Sequence, residues 1–395
     1  MVRDQQARIT PRSARSSAAP RSARSNAAPR SAQSNATPRS ARSNAAPRSA
    51  RLKARWLAVG VAAVAIAAVA GLAFGPVALN PFGVAAELLN LIPGVDIHSG
   101  LTEREAAIVI SLRLPRVVLG LLVGAMLALA GGCFQGVFRN PLADPYLLGV
   151  AAGAGLGATA AVALGASSSI EGGGSGSGLV PAFAFAGALV AVALTYGLGA
   201  SGGRVRTPAT LILAGVAVSA FLTAIQTYIL QRNVETIREV YSWLLGRLST
   251  NGWREVVLLL PYAAVTAVVV LAHRRELDVL SVGDDEAASL GLHPQRSRYL
   301  LVAAASLGTA AAVAVSGLIG FVGIIVPHTI RLMAGSSYRV ILPLSMLFGA
   351  AFLSLADLLA RTILTPSEIP IGVVTAFLGA PFFVLVLRTA KRVGL

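Results

Sequence analysis

The chain has 395 residues, of which 55% are hydrophobic and 13% are charged, and its mean hydropathy is +0.71. One hydrophobic core stops growing near roughly 250–300 residues, so a chain this apolar must use lipid as part of its solvent. The composition excludes a soluble enzyme and predicts an integral membrane protein.

The formal net charge of +16 is concentrated at the N-terminus. Residues 1–55 hold 13 Lys and Arg and one acid, which leaves 20 basic and 16 acidic residues for the rest. From Arg12 this tail repeats every nine residues, in forms such as RSARSNAAP. Such repeats bury too little apolar surface to offset the entropy of ordering. We predict a disordered cytoplasmic tail that sets the orientation or attracts anionic lipid. The charge does not indicate nucleic-acid binding.

Cysteine and lysine usage excludes several kinds of site. Cys133 is the single cysteine, so a disulfide within the chain and a Cys-based zinc site are both excluded. The two lysines, Lys53 and Lys391, follow no glycine-rich loop, so no phosphate-binding P-loop is present. We therefore expect no metal or cofactor on this chain, and ATP, if used, on another chain.

Ten apolar runs of bilayer-crossing length follow one another along the chain. They lie near 57–78, 115–138, 145–165, 179–199, 209–231, 255–272, 299–316, 318–333, 338–361 and 370–388. With the N-terminus inside, the cytoplasmic segments carry 25 Lys and Arg and the outer segments carry 8, as the positive-inside rule requires. We predict that residues 56–395 form an all-α transmembrane domain of about ten helices with both termini in the cytoplasm.

Glycine and proline interrupt the chain around the eighth run. These residues are Gly317, Gly320, Gly323 and Pro327. Irregular backbone at membrane depth is tolerated only where protein buries it or where it lines a cavity. We therefore expect short or broken helices here.

The first two motifs border the second predicted span and the longest cytoplasmic loop. The second run begins at its outer mouth with Arg113-Leu-Pro-Arg116. Its cytoplasmic end contains two prolines and an Asn within six residues, which cannot continue a helix and predict a tight turn. The longest cytoplasmic loop, 274–298, contains SVGDDEAASLGL, in which Ser281 and Asp284 have the spacing of a capping box. We predict a short amphipathic helix outside the membrane there.

Two further motifs lie towards the C-terminus. One is IGFVGIIVPHTIR, in which His328 follows a proline; it suggests a heme or metal ligand, but we favour a helix-end residue that forms hydrogen bonds. The other runs from ADLLAR, which ends at Arg361, through EIPIGVVTAFLGAPFF. Each motif alone is weak, whereas the four together are specific.

In their order and spacing, these four motifs resemble those of the FecCD-type permeases. These are the membrane subunits of ATP-binding-cassette (ABC) importers for ferric siderophores, heme and cobalamin. The likeness runs from about residue 52 to the C-terminus, and the nine-residue repeat has no counterpart in it. It implies a type II importer permease in the bacterial inner membrane, with ten helices per subunit. Its implied partners are a second copy of itself, two ATPase subunits that bind ATP and Mg²⁺, and a substrate-binding protein outside.

The resemblance also assigns candidate site residues. The cytoplasmic helix matches the family's ATPase-coupling helix, with Ser281, Gly283, Asp284, Glu286, Ala287, Leu290 and Gly291 as candidates. Ala287 and Leu290 are expected on one face, and Gly291 is expected to end the helix. Candidates for turns and a gate are Gln135, Asn140, Pro141, Pro327 and His328.

Three outer arginines match those with which the family docks the glutamates of its binding protein. They are Arg113, Arg116 and Arg361. Arginine suits this role because its planar fork binds carboxylates through two hydrogen bonds. Simpler interpretations stay open: the first two can snorkel to lipid headgroups, and Arg361 can pair with Asp357 four residues earlier.

Heme is the favoured substrate, because a pathway of apolar and small residues suits a large, flat, weakly charged ligand. Ferric siderophores and cobalamin are the close alternatives. An ion-coupled secondary transporter would need intramembrane ionisable groups, of which Asp357 is the main example. A membrane enzyme would need a nucleophile, base or metal constellation that the sequence does not offer.

Overall fold

The computed structural model describes residues 54–75, 79–166, 178–200, 208–248 and 252–393. Within these ranges all regular structure is helical. The helices are α1 Ala54–Ala73, α2 Pro81–Leu89, α3 Glu103–Ala107, α4 Leu114–Val137, α5 Val150–Ala163, α6 Leu179–Ala200, α7 Pro208–Arg232, α8 Ile237–Leu244, α9 Arg254–Ala272, α10 Arg274–Leu280, α11 Asp284–Ser289, α12 Pro294–Ser316, α13 Val322–Ala334, α14 Tyr338–Thr362 and α15 Ile371–Val393. The predicted disorder of the tail falls on residues 1–53, outside the described residues.

Ten of the described helices are apolar enough to lie in a membrane. Seven have the length to cross it: α1, α4 with its helical extension back to Glu103, α6, α7, α9, α12 and α14. The three shorter apolar helices are α5, α13 and α15. They match the ten predicted runs in order, which confirms an all-α, multi-pass membrane protein.

The centre of the fold is formed by α4, which packs against α9, α12, α13 and α14. Most of α4 is buried, in contrast to α1, α6, α7 and α9, whose exposed surface is largely apolar. Lipid covers such faces in a membrane protein. Helix α4 packs closely against α14, because a Cβ on Gly124 would collide with the carbonyl oxygen of Gly349. Small residues at these positions allow the two backbones to touch.

The break expected around the eighth run is present. Helix α12 ends at Ser316 and α13 begins at Val322, and the residues between them include Gly317 with φ +70° and Phe321 with φ +69°. The hydroxyl of Tyr146 donates to the Ile319 carbonyl oxygen at 2.9 Å and accepts from the Ile319 backbone N–H at 3.2 Å. Protein groups therefore satisfy part of this non-helical backbone.

Several short elements were not predicted. They are α2, α3, α8 and α10, together with a π-helical turn at Ile108–Arg113 and a 3₁₀ turn at Pro145–Leu148. The π-helical turn joins α3 to α4, so the second membrane helix continues outward beyond the predicted start at 115.

Candidate coupling and docking sites

Helix α10 of the cytoplasmic loop is held against the N-terminus of α14. The Asp278 carboxylate accepts hydrogen bonds from the Tyr338 backbone N–H at 2.6 Å and from the Ser337 hydroxyl at 2.8 Å. The Arg339 guanidinium lies 3.3 Å from the same carboxylate. The first N–H groups of a helix have no partner within the helix, and its dipole favours a negative charge there. Asp278 therefore caps α14 from another part of the chain.

Helix α11 is held by a second carboxylate, that of Asp284. It accepts from Arg298 at 2.9 Å and from Arg139. Arg298 is 1% exposed and belongs to α12, whereas Arg139 follows the end of α4 with a left-handed φ of +51°. Burial raises the pKa of Asp284, but the hydrogen bond and charge of Arg298 and the charge of Arg139 outweigh it and hold the pKa below its ordinary value. Asp284 therefore joins α11 to two membrane helices.

The predicted capping box of α11 is wrong. Its N-cap position is Gly283, which has no side chain to supply a hydrogen bond. The Ser281 hydroxyl instead donates to the Asp278 carbonyl oxygen at 2.6 Å. The Asp284 carboxylate is drawn to the two guanidinium groups, because charge-assisted pairs are stronger than neutral ones. The helix ends at Ser289, and Gly291 follows with φ +84°.

Ala287 of α11 and Leu290, directly after the end of this helix, do not share an environment, contrary to the prediction. Ala287 is fully buried and anchors the helix, whereas Leu290 is 71% exposed. Glu286 is also exposed. The short helix rests on one small side chain and presents a leucine and an acidic residue to the cytoplasm. Both side chains are therefore accessible to a partner protein.

The turn predicted after the second span is present. Asn140 Oδ1 accepts from the Leu142 backbone N–H at 3.0 Å, and Pro141 is exposed. One turn earlier, Gln135 Nε2 donates to the carbonyl oxygens of Gly323 at 3.2 Å and Ile324 at 3.4 Å. Gln135 thus ties the end of α4 to the start of α13.

The favoured interpretation of His328 as a helix-end residue is wrong. Both Pro327 and His328 lie within α13, and His328 is largely buried. Its ring packs edge-to-face on Phe382 with centroids 6.1 Å apart, and within the described residues its Nδ1 has no hydrogen-bond partner. No group of three or more His, Cys, Asp or Glu that could hold a metal ion is found among the residues that the structure describes.

Two of the three outer arginines cap the C-terminal end of α1. Arg113 donates to the carbonyl oxygens of Leu72 at 2.7 Å and Ala73 at 3.0 Å. Arg361 donates to the carbonyl oxygen of Gly71. Both side chains are buried. The last carbonyls of a helix lack partners within it, and a cation is favourable there. These two arginines therefore fix α1 to α4 and α14.

The third arginine, Arg116, lies between two carboxylates. It donates to Asp357 at 2.8 Å and to both oxygens of Glu368 at 2.9 Å. Asp357 also lies 3.3 Å from Arg361, so the intrahelical pair exists. Burial raises the pKa of Glu368, but the hydrogen bond and charge of Arg116 and the charge of Arg361 outweigh it and hold the pKa below its ordinary value. Docking by the three arginines stays a prediction, since all three have partners inside the protomer.

Sequence reasoning missed three residues of these sites: Asp278, Arg298 and Glu368 as a partner of Arg116. Asp278 lies 60 positions before the backbone N–H that it caps, and no local pattern signals such a contact. Arg298 offered a weak signal, because it stands at the edge of an apolar run that otherwise has no need of a charge.

Comparison with known proteins places the chain among transporters. The sequence profile of the FecCD transport family matches residues 63–389. The cobalamin import system permease protein BtuC of Halobacterium salinarum is 42% identical over 300 residues, 76% of this chain and 78% of that protein. The hemin transport system permease protein HmuU of Yersinia pestis is 37% identical, over 72% of this chain and 84% of that protein. An inward-facing metal-chelate type ABC transporter superposes with a TM-score of 0.73 at 28% identity, covering 85% of this chain and all of that chain.

Proposed function

We propose, from the premise that this chain belongs to the FecCD transport family, that it imports heme. At the coarser level it is the permease subunit of an ABC importer for iron chelates or cobalamin, with the type II permease fold, and it is not itself an enzyme. The family match, which spans nearly all of the membrane domain, supports the importer, and the choice of heme rests on an apolar groove.

The assembly that we propose follows from the same premise. Two copies of the chain form the pathway in the cytoplasmic membrane of a bacterium, two ATPase subunits bind ATP and Mg²⁺ below, and a binding protein delivers the substrate from outside. We expect this chain to hold no cofactor of its own. Glu286 of α11 and Leu290 directly after it, both exposed, supply the contact with the ATPase.

An apolar groove supports heme among the possible substrates. The groove has a volume of about 290 Å³ and lies between the end of α8, the broken segment before α13 and the start of α15. Leu245, Leu318, Val373 and Phe377 are among its lining residues, and no charged side chain lines it. A flat porphyrin face gains free energy against such a surface. A ferric siderophore, which carries many polar groups, would leave them without hydrogen bonds there.

Uptake into proteoliposomes tests the proposal. The permease is reconstituted with its ATPase and binding protein, and heme, a ferric siderophore and cobalamin are offered in separate assays with ATP on the cytoplasmic side. We expect heme to accumulate and to stimulate ATP hydrolysis. If cobalamin or the siderophore accumulates and heme does not, that compound replaces heme as the proposed substrate.

The same assay separates the ABC importer from an ion-coupled secondary transporter. We expect no uptake without ATP, whatever proton or sodium gradient is applied. The main intramembrane acid, Asp357, is neutralised by Arg116 and Arg361, so it is a poor carrier of a transported ion. Gradient-driven uptake in the absence of ATP would favour the secondary transporter.

A further inference from the structure

We propose that Asp278 is the positioning residue through which the coupling segment moves α14 during transport. The coupling segment is here defined as α10 and α11. The inference rests on the proposed role of this segment in contacting the ATPase. It assigns the transmission of movement to Asp278, which lies in α10 and not in the exposed helix α11.

The carboxylate of Asp278 supplies the cap at the start of α14. The N-cap residue of α14, Ser337, makes no capping hydrogen bond with its own side chain, and its hydroxyl donates to Asp278 instead. Asp278 also accepts from the Tyr338 N–H and pairs with Arg339. One carboxylate from α10 therefore binds the N-cap residue of α14 and the first two residues of the helix. When α10 is displaced, the cap must either move with it or break.

Both sides of this joint are packed in the core. In α10, Leu277, directly before Asp278, and Leu280, two residues after it, are buried. Tyr338 is also buried, and its hydroxyl accepts from Arg331 at 2.8 Å. Neither partner of the cap can swing freely, so a displacement of α10 reaches α14 as a movement of the whole helix end.

Helix α14 connects this cap to the outer side of the membrane domain. This helix has 25 residues, so at about 1.5 Å per residue it is long enough to cross the bilayer. Its outer end carries Asp357 and Arg361, and its backbone touches α4 at Gly124 and Gly349. A movement that starts at Asp278 therefore reaches the outer charged cluster along one continuous helix.

A neighbouring acid provides a matched control. Asp285 lies seven residues further along the same segment, is exposed, and makes no hydrogen bond or ion pair with the described residues. Asp278→Asn and Asp285→Asn make the same chemical change and remove the same charge from the same cytoplasmic loop. Only the first removes an anionic cap.

The test compares heme transported per ATP hydrolysed in the full reconstituted transporter. For Asp278→Asn we expect this ratio to fall by about fivefold or more, the lower end of coupling between distant sites, while basal ATP hydrolysis persists. Asp285→Asn should match the wild type, and Asp278→Glu, which restores the carboxylate, should recover part of the ratio. An unchanged ratio in Asp278→Asn would overturn the inference.

A second variant keeps the test open if Asp278→Asn fails to fold. Ser337→Ala removes one of the three contacts without a change of charge, and we expect a smaller fall in the same ratio. A wild-type ratio in Ser337→Ala, with Asp278→Asn unfolded, would reduce Asp278 to a purely structural cap and overturn the transmitting role.

A distance measurement separates this inference from the choice of substrate. Spin labels on cysteines at Leu359 of α14 and Val257 of α9, both exposed, report movement of the outer half of α14 in a Cys133→Ala background. With ATP and vanadate as probes we expect a distance change in the wild type and in Asp285→Asn, and a reduced one in Asp278→Asn. An equal change in all three would overturn the inference even if heme is transported, whereas failure of heme uptake alone would leave the distance result standing.

Discussion

The two ends of α14 carry charged clusters that differ in exposure. At the outer end, Asp357 and Arg361 are buried and bound to each other and to neighbouring helices. On the cytoplasmic side, Asp278 of α10 caps α14, and Asp284 of α11 binds Arg298 of α12 and Arg139 after α4; both carboxylates are partly exposed. The outer cluster joins membrane helices to one another. The cytoplasmic contacts join α10 and α11 to the membrane helices, at a surface that another protein can contact.

This comparison shows that similar charges in a sequence need not have similar roles. Arg361 and Arg139 both follow the apolar part of a membrane helix, yet one is buried beneath α1 and the other is about one third exposed beside α11. Removing a buried partner is expected to cost stability, and removing an exposed contact is expected to cost function.

The largest effect is expected from Asp357→Ala. This change leaves two arginines without the buried carboxylate that neutralises them, which costs about 3–5 kcal/mol of stability for a broken buried pair. Glu368→Ala is the control, because it removes an exposed carboxylate from the same cluster and should cost at most about 1 kcal/mol. The measurement is unfolding in detergent. Equal losses would mean that the outer cluster is not a buried structural unit.

Leu290→Asp should abolish substrate-stimulated ATP hydrolysis while the permease stays folded. The exposed leucine is replaced by a charge that would have to be desolvated in the contact with the ATPase, and interface residues of this kind can contribute about 2 kcal/mol or more. Leu91→Asp makes the same change at an exposed leucine on the opposite side of the membrane. Normal coupling in Leu290→Asp would remove α11 from the ATPase contact.

Docking can be tested at Arg116 without breaking the caps of α1. If a glutamate of the binding protein competes with Glu368 for this guanidinium, Glu368→Gln should strengthen capture and Arg116→Gln should weaken it, each by about 0.2–1 kcal/mol. Affinity for the binding protein at two ionic strengths is the measurement. Weaker capture by Glu368→Gln together with stronger capture by Arg116→Gln, or no change in either variant, would leave Arg116 with a structural role alone.

The smallest effect is expected from deletion of residues 1–47. From its sequence we expect this basic repeat to make no fixed contact with the transport machinery, so uptake by purified, correctly inserted protein should be unchanged. The comparison is made in neutral and in anionic liposomes. A severe loss of turnover in anionic liposomes alone would show that the tail acts on transport through lipid.

The ten membrane helices could be predicted from local sequence. In lipid, an apolar run has no water to bond to its backbone, so it must form a helix that satisfies its backbone hydrogen bonds internally. The break near Phe321 was also predictable, since glycine and proline act locally. The contacts of Asp278 and Asp284 were not. Their partners lie on or beside other helices. Asp284 binds Arg139 and Arg298 instead of forming the capping box that the local sequence predicts. The burial of Arg113 likewise depends on where α1 ends, which the sequence of α4 does not encode.

The contact between Gly124 and Gly349 has a consequence for how this sequence can change over generations. Any side chain at Gly124 would collide with the backbone of the opposite helix, so no substitution at either position can be accepted singly without separating α4 from α14. A larger residue at this crossing requires a wider spacing between α4 and α14. Because α4 also packs against other core helices, their packing would have to change as well. We expect both positions to remain glycine among descendants of this gene that keep the transport activity, even where the surrounding leucines and alanines exchange freely.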